Sequence, residues 1–484
     1  NQALEAWMTQ HRSDLVENLQ SEGLYYIDLL DAGDLASDPI NTEDIWVSFD
    51  FSGRDLSGNI ILTRNADDAV LAGSFSKYTH YVPFYRYCGS ENSGLMEGTW
   101  LAMRRTLTLG DTYFRNNKDR LGITSPEVTL RYGSKIRLYM PSSVVGNGVE
   151  GTGGYEGQEG YSLSSKRPFI VTMEIRDTVS NPLEREGTDV DDFCELNGGL
   201  QIYSKGDDDT PATEVPEDPE DPEHPYSETS KRWVSACDSI PQVYVNVRYN
   251  PAEPGDQLSF PAPYHVGYEP YVSEASVRDI DMQIAEALKK RFHGEGDDYE
   301  KYEGVKTLEA DSVTLEGTAK IWYIGRFLDG FIFDTNIDEV KKIIYGEVAQ
   351  TGTALEYTPS SGGMIQAFYY AIPNLKFGQW AELITTSTNA YGSSGKSGSS
   401  SSSTSGSSGY SSSYYDYLNY LNYANSYYGS GGYYGGYYNN YYGGYGGYYG
   451  GYYGDTYCSD YNSSSTGTTG KTINTEIPSF TPRI

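Results

Sequence analysis

The sequence predicts an α+β protein with more than one domain. The chain has 484 residues, more than a single hydrophobic core usually organises. Runs of β-branched and aromatic residues separated by glycine-containing turns predict strands, and segments with apolar residues three or four positions apart predict helices. A long segment of serine, glycine and tyrosine has too few aliphatic residues to form a core of its own.

The charge of the chain excludes some partners. The formal net charge is -32, which argues against nucleic acid and against a basic patch that binds anionic lipid. The acidity fits an exposed, hydrated surface. No run of about 18 apolar residues predicts a transmembrane helix. Because the chain starts at Asn1 without a leader, we expect any membrane attachment to come from a lipid on a preceding residue.

The four cysteines are Cys88, Cys194, Cys237 and Cys458. None forms a CxxC pair and the chain has only five histidines, so we expect no zinc site, no other metal and no cofactor. Cys194 and Cys237 flank an acidic, proline-rich segment. They either close it as a disulfide or remain free thiols, and the spacing leaves both open.

The elements follow in order from an N-terminal helix. Residues 1–20 place Leu4, Trp7, Met8, His11, Leu15 and Leu19 on one face of a helix. From residue 43 the pattern turns to strands, of which the clearest are WVSFDFSG, SKIRLYMP and PFIVTMEI. The acidic segment 206–225 has proline or acid at nearly every step and predicts an extended linker or loop.

A further strand and helix follow that linker. QVYVNVRY predicts a strand at 242–249. The next helix carries the apolar stripe Ile280, Ile284, Leu288 and Phe292, with Ser276 placed to cap its N-terminus. The stripe predicts core packing and no functional site.

A set of short motifs lies between residues 321 and 392. IWYIGRFLDGFIFDTN predicts two strands joined by a turn at Leu328–Gly330, with Asp334 directly behind Phe333. A short amphipathic helix in GGMIQAFYYAIPNLKFGQW and a strand in AELITTSTNAYG follow, and TEIPSFTPRI stands at 475–484.

This order of motifs resembles the FKBP family of peptidyl-prolyl isomerases. The matching positions are Tyr323, Asp329–Gly330, Phe333–Asp334, Met364–Ile365, Phe368, Gly378–Gln379, Ala390–Tyr391–Gly392 and Ile477–Pro478. The resemblance covers roughly residues 306–392 and 471–484. It implies an antiparallel sheet wrapped on a short helix, with a prolyl pocket between them.

The resemblance also implies roles for individual residues. Asp334, Tyr391 and Tyr323 would act on the substrate: Asp334 would face the rotating carbonyl, and the Tyr391 hydroxyl and the backbone N–H near Ile365 would bind other carbonyls. The walls would come from the following residues: Phe333, Leu355, Tyr357, Met364, Ile365, Phe368 and Ile477.

The chain departs from the family pattern at several places. Phe368 stands where the family usually has Trp, and Ala367 stands in place of glycine. The Tyr/Gly/Ser-rich insert, 393–470, falls inside a loop that is short in the family. The last residues stop before most of the closing strand, so we expect either a longer chain or another segment to complete that sheet.

The same strand–turn–strand pattern occurs earlier in the chain. IWVSFDFSGRDLSGNII at 45–61 aligns Phe51 with Tyr323, Ile61 with Phe333 and Leu62 with Asp334. Val145 then takes the position of Tyr391. This internal repeat predicts a tandem of FKBP-like domains, of which the first lacks the acid and the tyrosine and should be inactive.

Four regions are therefore predicted. They are an N-terminal helical segment (1–42), a degenerate FKBP-like domain (43–178), a linking region with an acidic loop, a strand and a helix (179–305), and an FKBP-like domain that carries the insert (306–484). The organisation resembles FKBP-type lipoproteins of Bacteroides-group bacteria. This implies an outer-membrane lipoprotein, at the cell surface or in the periplasm.

Three functions fit these features. The first is a prolyl isomerase, or foldase-chaperone, whose clients are proline-containing extracytoplasmic polypeptides. The second is a non-catalytic docking subunit of an outer-membrane complex, because the first copy is degenerate and the tyrosine-rich insert suits binding to a β-barrel partner. The third, a carbohydrate-binding surface protein, has only the tyrosine content behind it.

Overall fold

The computed structural model describes residues 2–73, 75, 79–92, 95–145, 167–200, 232–237, 240, 242–251, 257–265, 272–292, 313–346, 348 and 351–392. Structural statements below concern these residues. The acidic segment 206–225, the insert 393–470 and the segment 471–484 with Ile477 lie outside them.

The described elements alternate between helices and strands along the chain. The helices are α1 Gln2–His11, α2 Ala66–Leu71, α3 Glu97–Arg104, α4 Asp111–Leu121, α5 Pro182–Leu196, α6 Glu274–Phe292, α7 Asp338–Tyr345 and α8 Gln366–Ala371. The strands are β1 Tyr26–Ala32, β2 Ile45–Arg54, β3 Ile60–Thr63, β4 Phe84–Cys88, β5 Leu107–Thr108, β6 Glu127–Val128, β7 Ser134–Met140, β8 Phe169–Val179, β9 Val234–Ser235, β10 Val243–Tyr249, β11 Ala319–Ile321, β12 Ile324–Arg326, β13 Ile332–Thr335, β14 Leu355–Tyr357 and β15 Trp380–Thr385. The 3-10 segments are Ser13–Asn18, Pro359–Ser361, Ile372–Asn374 and Ser387–Asn389.

The first unit is built on a six-stranded antiparallel sheet. Its strand order is β1-β7-β8-β2-β3, with β4 also paired to β2. One face of the sheet forms a large core with the N-terminal helix, in which the side chains of Phe49, Phe51 and Met173 are buried. Since β1 is an edge strand of this sheet, the first unit begins before residue 43, the boundary that composition suggested.

The N-terminal helix is shorter than the sequence predicted. It ends at His11, and a 3-10 segment follows over Ser13–Asn18. Leu4, Met8 and Leu15 are buried as the stripe predicted, but His11 is exposed and Leu19 is 41% exposed. The helix breaks because Arg12 leaves helical geometry and its guanidinium pairs with Asp28 on β1 at 2.9 Å.

The second unit repeats part of this sheet. β10 pairs with β15 as β1 pairs with β7, and each pair carries one bulge near the same end. β12 pairs with β13, and β11 with β14. The predicted strand at 242–249 is therefore present as β10, and it belongs to the second sheet.

The predicted helix near 276–292 is present as α6. It begins at Glu274, two residues before the predicted cap Ser276. The hydroxyl oxygen of Ser273 accepts a hydrogen bond from the Ser276 backbone N–H, so Ser273 takes the capping role and the prediction for Ser276 was wrong. Ile284 and Leu288 are buried against β13 and α7, as the apolar stripe predicted.

The strand–turn–strand repeat is visible in the registers. β2 and β3 pair Gly53 with Leu62, and β12 and β13 pair Gly325 with Asp334. In both hairpins the register shifts at the next residue, an arginine. The turn glycines also match, with φ of 88° at Gly58 and 90° at Gly330. This geometry agrees with the alignment made from the sequence.

The turn and the Tyr391 loop of the second unit contact residues from earlier in the chain. The ring of His80 in the first unit stacks between Phe327 and Phe331 of the second, with 4.6 Å between ring centroids on each side, and its Nε2 atom contacts Asp329. Helix α5 follows β8, and its buried Glu186 carboxylate accepts a hydrogen bond of 2.7 Å from the Ser387 hydroxyl. The turn therefore contacts the first unit, and the loop contacts α5.

Three cysteines lie in the described part of the chain. Cys88 and Cys194 are free thiols, so the described structure has no Cys194–Cys237 disulfide. Burial raises the pKa of Cys194 far above that of an ordinary thiol, which makes it a core residue and a poor nucleophile. Among the described helices, none is long and apolar enough to cross a bilayer.

Candidate active site

A cavity of about 700 Å³ opens between the second sheet and helix α8. Strands β10, β12 and β15 supply one side, and α8 with the segment after it supplies the other. Seven of the ten candidate site residues line it: Tyr323, Phe333, Asp334, Met364, Ile365, Phe368 and Tyr391. The hairpin, the short helix and the loop therefore meet at one site, although they are far apart in sequence.

The polar feature of the cavity wall is a tyrosine–carboxylate pair. The Tyr323 hydroxyl donates a hydrogen bond of 3.0 Å to Asp334 Oδ2. The two residues meet because the hairpin places Tyr323 one position before the Ile324–Thr335 pair and Asp334 one position before Thr335. The bond satisfies one of the carboxylate oxygens.

Phe333 forms the aromatic wall beside this pair. It is almost fully buried and packs against Phe327, with 4.8 Å between the ring centroids. The ring lies over Gly325, where an added Cβ would come within 2.8 Å of its Cζ atom. Tyr391 packs against the same aromatic cluster.

Helix α8 supplies the opposite wall. Met364 and Ile365 precede the helix, and Phe368 stands in its first turn, where it meets the Tyr357 ring edge to face at a centroid distance of 5.9 Å. Tyr357 and Leu355, also predicted as pocket residues, lie behind this wall in one cluster with Phe368 and do not line the cavity. Because they lie on the short strand β14, which pairs with β11, they support Phe368 from behind.

The loop that carries Tyr391 is held from outside the second unit. Within it, the Gly392 N–H donates to the Ser387 carbonyl at 2.8 Å. Both the Ser387 N–H and its hydroxyl donate to the carboxylate of Glu186 on α5. The anchoring carboxylate is fully buried, so α5 positions the tyrosine loop through Ser387.

Sequence reasoning missed two buried ion pairs beside the cavity. Arg326 Nη2 lies 2.8 Å from Asp281 Oδ1, and Arg248 Nε lies 2.5 Å from Glu382 Oε2. Arg326 and Glu382 both line the cavity. The available signal was a charged residue inside each apolar strand, Arg326 in IGR and Glu382 in AELIT.

Burial shifts the pKa values of the two carboxyl groups in these pairs. Burial raises the pKa of the Glu382 carboxyl, against the opposing effect of Arg248 and then Arg326. Burial likewise raises the pKa of Asp281, and Arg326 opposes it. The four groups carry two positive and two negative charges when ionised, so they bring no net charge to the cavity.

The cavity is a binding pocket with mostly apolar walls and a few fixed polar groups. Within the described part of the chain, no group of three His, Cys, Asp or Glu side chains is arranged to hold a metal ion. The carboxylate of Asp334 is bonded to a phenol, and those of Asp281 and Glu382 are paired with arginines. The arrangement can bind and orient an apolar peptide segment, but it does not present a nucleophile beside a general base.

The first unit lacks these polar groups at the matching positions. Phe51 and Leu62, which align with Tyr323 and Asp334, are buried in the core of the first sheet. Val145, which aligns with Tyr391, is buried as well. The first unit therefore has no tyrosine–carboxylate pair at this place.

No protein-family model and no curated protein sequence matches the chain. The solved structures that it resembles include FKBP-type proteins. One is AtFKBP13 (12% identity, TM-score 0.20, covering 32% of this chain and 94% of that one), and another is a peptidyl-prolyl cis-trans isomerase from Pseudomonas syringae pv. tomato (17% identity, TM-score 0.19, covering 36% and 96%). A third contains the three FKBP domains of wheat FKBP73 (12% identity, TM-score 0.19, covering 78% and 86%).

The predicted α+β fold class, with two sheet-containing units and extra helices, is confirmed by the antiparallel strand pairings and the helices between them. The matching registers and turn glycines of the two hairpins show that the two units repeat the same strand–turn–strand pattern.

Proposed function

We propose that the second unit is an FKBP-type peptidyl-prolyl cis-trans isomerase that acts as a foldase on extracytoplasmic proteins. The observation that carries the proposal is the Tyr323–Asp334 hydrogen bond on the wall of a mostly apolar cavity of about 700 Å³. A packed sheet core needs neither a cavity nor a carboxylate beside Phe333. A prolyl ring and the amide before it would fit in such a pocket.

The chemistry needs only a pocket that prefers the twisted amide. The prolyl bond has a rotation barrier of about 18–20 kcal/mol, because its planar form is stabilised by resonance. In the twisted transition state that resonance is lost, and the carbonyl oxygen carries less negative charge. An apolar pocket therefore penalises the twisted form less than the planar one, and this difference in binding lowers the barrier.

Each polar group has a role in this scheme. Phe333 and Phe368 hold the prolyl ring between the sheet and α8. Asp334, oriented by Tyr323, faces the rotating carbonyl. The Tyr391 hydroxyl and the backbone near Ile365 bind the flanking carbonyls, which keeps the peptide in place while the bond turns. No covalent intermediate forms and no proton is transferred.

The first unit has a supporting role in this proposal. Its Phe51, Leu62 and Val145 leave it without the polar groups that the scheme requires. It supplies His80, which contacts the turn of the second unit. We expect it to contribute stability and no isomerisation.

The proposal extends to location and partners. The clients would be proline-containing polypeptides outside the cytoplasm, and the chain would be an outer-membrane lipoprotein at the cell surface or in the periplasm. The insert 393–470 would bind an outer-membrane β-barrel complex through its tyrosines. These three statements rest on the organisation of the sequence alone.

A second function is favoured by one observation. Phe368 replaces the tryptophan usual in the family, which would weaken catalysis and leave a peptide-binding module. The alternative is therefore a non-catalytic docking subunit of an outer-membrane complex. It predicts binding of proline peptides without any acceleration of their isomerisation.

A refolding assay separates the two functions. The refolding of a substrate protein that is limited by a prolyl bond should accelerate with wild-type chain and lose most of that effect with Asp334→Leu. A matched control is Phe51→Leu at the aligned position of the first unit, which should leave the acceleration unchanged. If the wild-type chain leaves the refolding rate at background, the docking function is the better account.

A further inference from the structure

The equivalent turns of the two hairpins differ in the residues at their ends. The turn of the first unit has Asp55 and Asn59 there, and the turn of the second unit has Phe327 and Phe331. The backbone hydrogen bond is the same in both turns. The Asp55 N–H donates to the Asn59 carbonyl at 3.1 Å, and the Phe327 N–H donates to the Phe331 carbonyl at 2.9 Å. The two turns therefore share their geometry and differ in their side chains.

The polar turn of the first unit is satisfied by its own residues. Asp55 Oδ2 accepts a hydrogen bond of 2.9 Å from the Asn59 side-chain amide. Asp55 Oδ1 accepts two more, from the backbone N–H groups of Ser57 and Asn59. Aspartate commonly stabilises turns through such bonds to nearby backbone groups. This turn needs no contact from elsewhere in the chain.

The aromatic turn of the second unit is covered by the first unit instead. Phe327 is 1% exposed, and the His80 ring lies between it and Phe331 with interplanar angles of 17° and 29°. Asp329, inside the turn, contacts Nε2 of the same ring. Phenylalanine rings at a turn leave water only where another surface covers them, and this burial is favourable. Here the covering surface includes one side chain of the other unit.

His80 is held in place by its own unit. It follows α2, whose first turn is capped by a hydrogen bond of 3.1 Å from the Asp68 N–H to the Asn65 side chain. The next residue, Tyr81, is buried and stacks on Phe75 at a centroid distance of 5.3 Å, in a cluster with α2. The position of the His80 ring is therefore fixed independently of the turn that it contacts.

Ring contacts continue from His80 to the wall of the pocket. Phe327, which stacks on His80, also packs against Phe333 with 4.8 Å between the ring centroids. Phe333 lines the cavity together with Asp334, the next residue. Tyr391 packs against the same aromatic cluster. A displacement of Phe327 would thus reach the wall that the proposed reaction uses.

We propose that His80 is a positioning residue for the prolyl pocket of the second unit. Its ring holds Phe327, and Phe327 holds Phe333 in the orientation in which the wall and Asp334 favour the twisted amide. The first unit, which lacks the tyrosine–carboxylate pair, therefore takes part in the reaction of the second through one side chain. The kinetic part of this inference rests on the proposed function, and the positional part does not.

Two substitutions separate the ring contact of His80 from its polar contact. His80→Phe keeps an aromatic ring between Phe327 and Phe331, and His80→Gln keeps a hydrogen-bond donor for Asp329 without a ring. Exchange NMR on a short proline peptide measures the acceleration per folded molecule, at a temperature where every variant is folded. His80→Gln should lose at least fivefold of the acceleration and His80→Phe less than twofold.

The affinity for the peptide should change less than twofold in both variants. The wall acts on the twisted form, so its misplacement lowers the rate more than it lowers binding of the planar peptide. A residue with a merely structural role would change the folded fraction and leave the acceleration per folded molecule unaltered.

Aromatic NMR tests the positional part without any measurement of catalysis. The full chain carries ¹³C in the rings of its phenylalanines, and the Phe333 resonance is assigned by its loss in Phe333→Leu. That resonance should shift by more than its linewidth in His80→Gln and in Phe331→Asn, which introduces the residue of the first unit's turn. It should shift less than half as far in His80→Phe and stay in place in the exposed control His11→Ala.

An unmoved Phe333 resonance in both His80→Gln and Phe331→Asn would overturn the inference. Equal losses of acceleration in His80→Phe and His80→Gln would also overturn it, because the ring contact would then not be the cause. If the wild-type chain accelerates the exchange of no proline peptide, the proposed function fails. The NMR shifts alone then decide whether His80 positions the wall.

Discussion

At the scale of single residues, the site depends on how closely side chains approach the backbone of the hairpin. Gly325 is the clearest case, because the Phe333 ring occupies the space that any larger residue would need. In the first unit the equivalent Gly53 is covered instead by Phe169 of β8, whose ring atoms lie 2.6 Å from the position of an added Cβ. Gly53 and Gly325 are equivalent positions, but Gly53 accommodates a core aromatic ring and Gly325 accommodates the aromatic ring of the pocket.

We expect Gly325→Ala to destabilise the second unit by about 1–3 kcal/mol, because the methyl group overlaps Phe333 in a packed site. Chemical denaturation of Gly325→Ala, Phe333→Leu and the double variant Gly325→Ala/Phe333→Leu measures the effect. The double variant should recover much of the stability that Gly325→Ala loses, since the smaller side chain at position 333 frees the space. If the double variant is less stable by the sum of the two single losses, the overlap is not the cause.

At the scale of elements, helix α6 is attached to the hairpin by a buried ion pair. Asp281 on the helix and Arg326 on β12 are both more than nine-tenths buried. The same helix carries a second pair, Glu274 with Arg278, whose side chains are 56% and 63% exposed. The two pairs differ in burial and share a helix, which makes them a matched comparison.

Asp281→Ala should cost about 3–5 kcal/mol, because it leaves the Arg326 guanidinium buried without its partner. Glu274→Ala should change the free energy of unfolding by less than about 1 kcal/mol, as is usual for exposed pairs. Urea unfolding of the full chain with a probe in the second unit measures both values. Similar losses in the two variants would contradict the assigned role of burial.

The buried carboxyl on β15 should make stability depend on pH. The pKa of Glu382 is raised by burial, so the folded chain binds this proton more tightly than the unfolded chain. Its favourable contribution is complete below the ordinary pKa of 4.5 and is lost as the pH rises through the raised pKa. Glu382→Gln has no such proton to lose.

The Tm of Glu382→Gln minus that of the wild type should therefore increase as the pH rises from about 4 to 7. Thermal unfolding followed by circular dichroism at several pH values gives this difference. Parallel profiles for the two proteins would show that Glu382 does not titrate in this range.

Most of these elements could be predicted from local sequence patterns. The features that could not be predicted depend on tertiary contacts. The turn at Leu328–Gly330 and the stripe of α6 were predictable, because turn glycines and helical periodicity are local signals. The end of α1 was not, since it depends on Arg12 reaching Asp28 on a strand. The placement of Leu355 and Tyr357 behind the wall depends on the pairing of β14 with β11, which no local pattern specifies.

At the scale of the whole molecule, the first unit contacts the second close to its site. His80 is 6% exposed and lies between two phenylalanines of the turn that leads to Phe333. The buried ion pairs and this contact could not be predicted from the sequence, because the residues that form them are far apart along the chain. The candidate site residues were predictable only because the order of their motifs resembles a known family.

His80→Ala should destabilise the chain by about 1–3 kcal/mol, because Asp329 loses a buried hydrogen-bond partner at the contact between units. Calorimetry should show the unfolding of the two units separating further in temperature. His11→Ala, at an exposed histidine of α1, is the matched control and should change little. An unaltered thermogram for His80→Ala would mean that the contact does not couple the units.

The central claim, that the cavity of the second unit catalyses prolyl rotation, is tested most directly by exchange NMR on a short proline peptide. The cis–trans exchange rate should rise with catalytic amounts of wild-type chain. The acceleration should be at least tenfold smaller with Asp334→Leu. It should be reduced less with Tyr323→Phe, which keeps the carboxylate but removes the phenol hydroxyl that hydrogen-bonds to it. The control Phe51→Leu should match the wild type. An exchange rate that is the same with wild type, with Asp334→Leu and without protein would contradict the account.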